Sequence, residues 1–153
     1  MVDHFESEKA PRTGETVDAQ ISGRILIVDD DPHFLRILNR ILSGEKFQVT
    51  ATSNPCDALG LLRSGNFNLI ICDLRMPDCD GLNVLQGIRS AGNEIPVIIL
   101  TAYAETDAYL EAVNAGATEF LNKPINSEEL LPVVRKCLRR GDSHSSIHAH
   151  PKF

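Results

Sequence analysis

Three consecutive carboxylates, Asp29-Asp30-Asp31, come directly after the apolar run Ile25-Leu26-Ile27-Val28. A lone carboxylate, Asp73, comes after Leu69-Ile70-Ile71-Cys72, Thr101-Ala102 come after Val97-Ile98-Ile99-Leu100, and Lys123-Pro124 come shortly after Thr118–Leu121. If these residues meet, Asp29, Asp30 and Asp73 repel one another unless a cation sits among them. Hard oxygen ligands with open positions suit Mg²⁺, which keeps several waters and shares a phosphate. A carboxylate can attack a phosphoryl donor to give an acyl phosphate, provided that the charge on the transferring oxygens meets fixed partners. The Lys123 ammonium and the Thr101 hydroxyl are such partners, and Ala102 is small enough to leave room. Asp73 ends a fully apolar run and stands alone, which makes it the candidate nucleophile.

Residues at the ends of apolar runs meet only if the runs are strands of one sheet. Strand candidates are Arg24–Val28, Gln48–Thr52, Leu69–Cys72, Val97–Leu100 and Thr118–Leu121. Three of them are continuously apolar, as strands covered on both faces should be. Amphipathic segments fill the gaps. The first helix opens at Pro32, where a missing N–H costs nothing, with Phe34, Leu38 and Ile41 on one stripe and Leu35 and Leu42 beside it. The second follows Asn54 as cap and turns Ala58, Leu61 and Leu62 inward. The third covers about Leu82–Ser90, with Gly87 as a weak point of about 1 kcal/mol against Ala. The fourth runs from about Thr106 to Ala115 and stops at Gly116, a left-handed C-terminal cap. The fifth opens at Asn126-Ser127-Glu128-Glu129, a capping-box-like start, and buries Leu130, Val133, Val134, Cys137 and Leu138; Pro132 predicts a bend or a late start. Strand and helix in alternation predict an α/β fold, a doubly wound parallel sheet with helices on both faces, whose ligands gather at the carboxyl ends of the strands.

The chain has 153 residues and a formal net charge of -6, an ordinary single-domain size that folds without staples. The acidic balance argues against a nucleic-acid or anionic-membrane footprint. Four cysteines without a C-x-x-C pair, and a start without a basic flank and apolar stretch, predict a reduced, cytoplasmic protein. The apolar runs fall far short of the ~20 residues of a membrane span. Residues 1–20 are polar and aperiodic and predict a mobile extension; residues 21–140 form the domain; residues 141–153 predict a short solvated tail, whose His144, His148 and His150 lack a Cys or carboxylate cluster to complete a metal site.

The stretch from about Arg24 to Arg140 resembles the receiver domain of two-component response regulators. The matching pieces are Ile25-Leu26-Ile27-Val28-Asp29-Asp30-Asp31, Asp73-Leu74-Arg75-Met76-Pro77-Asp78-Cys79-Asp80-Gly81, Leu100-Thr101-Ala102 and Phe120-Leu121-Asn122-Lys123-Pro124. The flavodoxin-like strand order 2-1-3-4-5 is carried over from that family. The resemblance implies that Asp73 accepts phosphate from a phosphohistidine in a sensor histidine kinase or phosphotransfer protein. It implies that Asp30 and Asp73 bind Mg²⁺ directly with the backbone carbonyl of Arg75, with Asp29 acting through water. It also implies a cis peptide before Pro124. Thr101 and Phe120 match the family's switch pair, in which the hydroxyl moves to the phosphoryl and the ring turns inward, altering a partner surface on the fourth helix, fifth strand and fifth helix. Arg75 and Tyr103 should flank the phosphoryl and lengthen its lifetime.

Each residue also has a plainer reading. Asp31 caps the first helix, Asp78 and Asp80 form a turn before Gly81, Phe120 is a core aromatic, and Cys72 is a small buried hydrophobe. Arg135, Lys136, Arg139 and Arg140 complement a helix C-terminus. Five polar residues ending strands on one rim is the pattern such readings explain worst. A Mg²⁺-dependent phosphohydrolase usually places an acid/base Asp two residues after its nucleophile, where this chain has Arg75. A flavodoxin-like carrier would carry a Gly/Ser/Thr-rich phosphate loop where this chain has Asp-Asp-Asp. The expectation is a receiver that is not a turnover enzyme, acting alone by docking or as a phosphate relay; the alternative is a piece of a longer response regulator or hybrid kinase.

Overall fold

A computed structural model of the chain describes residues 22–77, 79–102 and 105–146. The elements are β1 Arg24–Val28, α1 Pro32–Gly44, β2 Gln48–Thr52, α2 Pro55–Ser64, β3 Leu69–Cys72, α3 Gly81–Ser90, β4 Val97–Thr101, α4 Thr106–Asn114, β5 Glu119–Asn122 and α5 Ser127–Ser146. All strand pairs are parallel, in the order β2-β1-β3-β4-β5.

Alternation along the central strands divides the interior in two. Ile25, Ile27, Leu69, Ile71, Ile98 and Leu100 face α1 and α5, meeting Leu35, Leu38, Leu130, Val134 and Cys137. Leu26, Val28, Ile70, Cys72, Val97 and Ile99 face α2, α3 and α4. On α1 the buried stripe is Leu35, Leu38 and Leu42. Phe34 and Ile41, placed at its centre by the sequence, are half-buried flanks, because the helix is rotated toward the sheet by one position.

Local chemistry sets the helix starts. Asp31 accepts from the His33 N–H at 2.9 Å, Asn54 from Cys56 at 3.0 Å, Asp80 from Leu82 at 3.0 Å and Asn126 from Glu129 at 2.9 Å. Gly116 has φ +98° and closes α4 as expected. Gly87 is where α3 approaches α2: a Cβ there would lie 3.0 Å from Leu59 Cδ1.

α5 departs from expectation at both ends. It starts at Ser127, so Pro132 does not delay it, and it continues through Ser146, beyond the boundary set at Arg140. The basic residues therefore sit within the helix and not at its last turn. Arg135 pairs with Glu45 at 2.8 Å, and Lys136 and Arg140 approach Glu119 at 3.0 and 3.8 Å. The expected extension over residues 1–20, Asp78, Tyr103 and the tail from residue 147 lie outside the described residues.

Candidate functional site

The sheet order reverses at β1, whose two neighbours are β2 and β3, so the loops leaving β1 and β3 part on either side of a crevice. Val28 is in register with Cys72, and Cys72 with Ile99, which brings the residues after them to one rim. Asp29, Asp30 and Asp73 each offer a carboxylate oxygen within 4.8 Å of the others. Asp29 and Asp73 are 2% and 7% exposed, whereas Asp30 faces solvent.

Lys123 reaches into this cluster from the far side. Its Nζ lies 2.7 Å from Asp29 Oδ2 and 3.3 Å from Asp73 Oδ2. The Lys123 N–H donates to the Thr101 carbonyl at 2.8 Å, and the Lys123-Pro124 peptide is cis. Thr101 is the last residue of β4 and fully buried; Ala102 beyond it is exposed at the rim. The Asp31 N–H donates to Asp29 Oδ1 at 2.9 Å, and the Arg75 N–H approaches Asp73 Oδ1 at 3.4 Å. The loop after β3 folds back against α3, with the Gly81 N–H donating to the Leu74 carbonyl at 2.8 Å. A Cβ on Gly81 would overlap the Asp73 carbonyl oxygen, so only glycine fits.

Outside the carboxylates a cavity of about 620 Å³ is lined by Asp30, Arg75, Met76, Pro77, Asp80 and Glu105. Asp80 and Glu105 were not expected there: Asp80 reads locally as a turn former, and Glu105 carries no signal beyond preceding a helix. Phe34 is a third surprise, its ring centroid 4.1 Å from Lys123 Nζ. Phe120 stands apart from the carboxylates on β5, edge-on to Tyr109 with ring centroids 5.4 Å apart.

Burial pushes the Asp29 carboxyl above the ordinary carboxylate range, only partly offset by the hydrogen bonds from Lys123 and the Asp31 N–H. For Lys123 burial works against the charge, but the bonds and charges of Asp29 and Asp73 outweigh it and raise the ammonium's pKa. Burial, then the charges of Asp73 and Asp29, push the Cys72 thiol up, so it stays protonated; its Sγ lies 3.3 Å from the Asp73 carbonyl. That suits the plain reading of Cys72.

The donor set fits a hard divalent cation: three carboxylates converge, two of them on one ammonium and the third open to water, and the third also lines the adjoining cavity. An elevated Asp29 pKa also fixes a sign. The folded chain binds that proton more tightly than the unfolded one, so the contribution is present at acid pH and is lost as pH rises through the elevated pKa. Asp29→Asn has no such proton. In metal-free buffer its melting temperature relative to wild type should therefore climb as pH rises above the ordinary carboxylate range of about 4; a flat difference in thermal unfolding would contradict the assignment.

Residues 25–135 match the response regulator receiver domain family, and the chain belongs to that family. It is 38% identical over 139 residues to the transcriptional regulatory protein ZraR of Klebsiella oxytoca, covering 91% of this chain and 29% of ZraR. It is 32% identical over 139 residues to the two-component response regulator ORR21 of Oryza sativa subsp. indica, covering 90% of this chain and 20% of ORR21. It thus spans under a third of the length of these relatives. Among solved structures, the CheY-like receiver domain protein of Methanospirillum hungatei JF-1 superposes with a TM-score of 0.77 at 29% identity, covering 81% of this chain and 99% of that one. The beryllofluoride-activated NtrC4 receiver domain dimer gives 0.73 at 29% identity, covering 77% and 98%.

Proposed function

We propose that Asp73 is the phosphoacceptor of a two-component relay, charged by a phosphohistidine of a sensor histidine kinase or phosphotransfer protein. The observation that carries this reading is the Lys123 ammonium held between Asp29 and Asp73 on a rim where a third carboxylate converges. An Asp73 Oδ atom attacks phosphorus, the donor's P–N bond breaks, and the departing imidazole nitrogen takes a proton. Asp30, Asp73 and the Arg75 carbonyl would hold Mg²⁺ directly, with Asp29 acting through water. When bound, the ion neutralises charge on the transferring oxygens. Lys123 supplies a charge-assisted donor to a second oxygen, and Thr101, with the backbone at Ala102, serves a third.

Phosphorylation then draws Thr101 toward the new oxygens and Phe120 turns inward, away from Tyr109. The surface it alters is α4, β5 and α5, where Tyr109, Leu110 and Val113 are exposed and suited to a protein partner. We assign no nucleic acid or membrane as direct partner and no turnover chemistry, and we place the protein in the cytoplasm; no helix among the described residues is long and apolar enough to cross a membrane. The shares of ZraR and ORR21 that the chain covers favour a second reading, in which this unit is the receiver portion of a longer regulator.

The test is incubation with acetyl phosphate, with and without Mg²⁺, followed by intact mass: one phosphoryl should appear only with the ion, and labelling unaffected by a chelator would sink the reading. Arg75 is exposed at the cavity lined by Asp30, where its bulk hinders an attacking water; Tyr103, two residues after Thr101 in the sequence, is assigned the same role. Loss of label should accelerate several-fold, about 1 kcal/mol, in Arg75→Asn and in Tyr103→Glu. Unchanged decay in both variants would remove these residues from lifetime control.

A further inference from the structure

We infer that Phe34 is a positioning residue for Lys123: its ring forms an aromatic seat that aims the ammonium at the phosphoryl position. The inference rests on the phosphoacceptor reading and adds a residue to it.

Lys123 Nζ sits 4.1 Å from the Phe34 ring centroid, well inside cation–π range. The same ammonium contacts Asp29 at 2.7 Å and Asp73 at 3.3 Å, and the lysine side chain is only 17% exposed. An ammonium has three donors and no acceptor. A third carboxylate in place of the ring would take a donor and hold the charge away from any incoming oxygen. The quadrupole of the ring attracts the cation without accepting a conventional hydrogen bond, so a donor stays available. The ring also excludes water on that side, which strengthens the pull of the ammonium on phosphoryl oxygens.

The seat is built into the loop that carries the carboxylates. The Asp31 N–H holds Asp29, the Asp31 side chain caps α1, and Pro32 starts the helix. Phe34 follows in the first turn of α1, while Leu35 and Leu38 anchor that helix in the core. One rigid segment thus sets both the carboxylate at 2.7 Å and the ring behind the same nitrogen. Phe34 packs against the edge of the core as a half-buried flank of the α1 stripe, and it is not one of that stripe's buried residues.

Two measurements on Phe34→Leu, Phe34→Tyr and Phe34→Trp test the inference. The first is the proton shift of the Lys123 ε-methylene by NMR without Mg²⁺. The ring current should move it upfield in the wild type and in the Tyr and Trp variants, and Leu should abolish that shift. The second is the phosphorylation rate with acetyl phosphate and Mg²⁺. Leu should slow it about five-fold, or about 1 kcal/mol, the aromatic variants should stay within about two-fold of wild type, and Leu should make no further difference in a Lys123→Met background. An unshifted methylene in the wild type, a Leu variant as fast as wild type, or aromatic variants as slow as Leu would each overturn the inference. A wild-type chain that takes up no phosphoryl at all would instead overturn the phosphoacceptor reading beneath it, and the NMR result would still report on the seat.

Discussion

Asp73→Asn should take up no phosphoryl group under conditions in which the wild type gains one that hydroxylamine removes. The carboxamide has nearly the shape of the carboxylate, but its oxygen is neutral and its nitrogen lone pair is delocalised, so no acyl phosphate forms. The expected loss is at least about a thousand-fold in labelling rate, some 4 kcal/mol. Misfolding would be a trivial cause, and the electrostatics separate the two. The Asp73 charge is one of the influences that raise the pKa of buried Asp29, so removing it relieves that carboxylate, and Lys123 keeps its shorter contact at 2.7 Å. The melting temperature should therefore hold or rise. Label that persists on a folded Asp73→Asn chain would move the acceptor elsewhere.

Gly81→Ala should be the most damaging glycine-to-alanine change among the described residues. The added Cβ would fall 1.9 Å from the Asp73 carbonyl oxygen and 2.9 Å from Leu74 Cα, both backbone atoms without freedom to step aside. Relief requires α3 to move, and α3 is anchored by Val84, Leu85 and Ile88 in the core. The alternative is displacement of the Asp73-Leu74 peptide, which shifts the acceptor itself. A cost of about 3 kcal/mol or more belongs to the upper range of overpacking, or a drop of roughly 10 °C in melting temperature. Gly87→Ala is the control. Its Cβ would meet only the flexible Leu59 side chain, at 3.0 Å, and gains about 1 kcal/mol of helix propensity. Equal melting temperatures for the two variants would refute the account of Gly81.

The same comparison shows what a sequence conveys. Helix starts depend on one side chain and the next two or three N–H groups, and Asp31, Asn54 and Asn126 were legible for that reason. The acidic rim was legible because each of its residues ends an apolar run. Strand order came from the family resemblance, since nothing local specifies which parallel strands adjoin. Phe34 over Lys123 was not legible, because residues 34 and 123 meet only when α1 and the loop after β5 are docked on the same face. α5 runs past Arg140 into the stretch whose composition predicts a solvated tail, because small polar residues give a weak stop signal and a helix anchored by Leu130, Val134 and Leu138 propagates past them.

Arg89, in the last turn of α3, is a side chain whose consequences lie in exchange kinetics. Its guanidinium donates to the carbonyls of Asn93 and Ile95 before β4, at 2.9 and 2.7 Å, and twice to that of Gly116 after α4, at 3.1 and 2.8 Å. The entry to β4 and the exit of α4 are thus tied to one group, so that opening either one weakens the hold on the other. Their amides should exchange with deuterium as a single cooperative unit, and the strands that end in Thr101 and Asn122 inherit that shared clock.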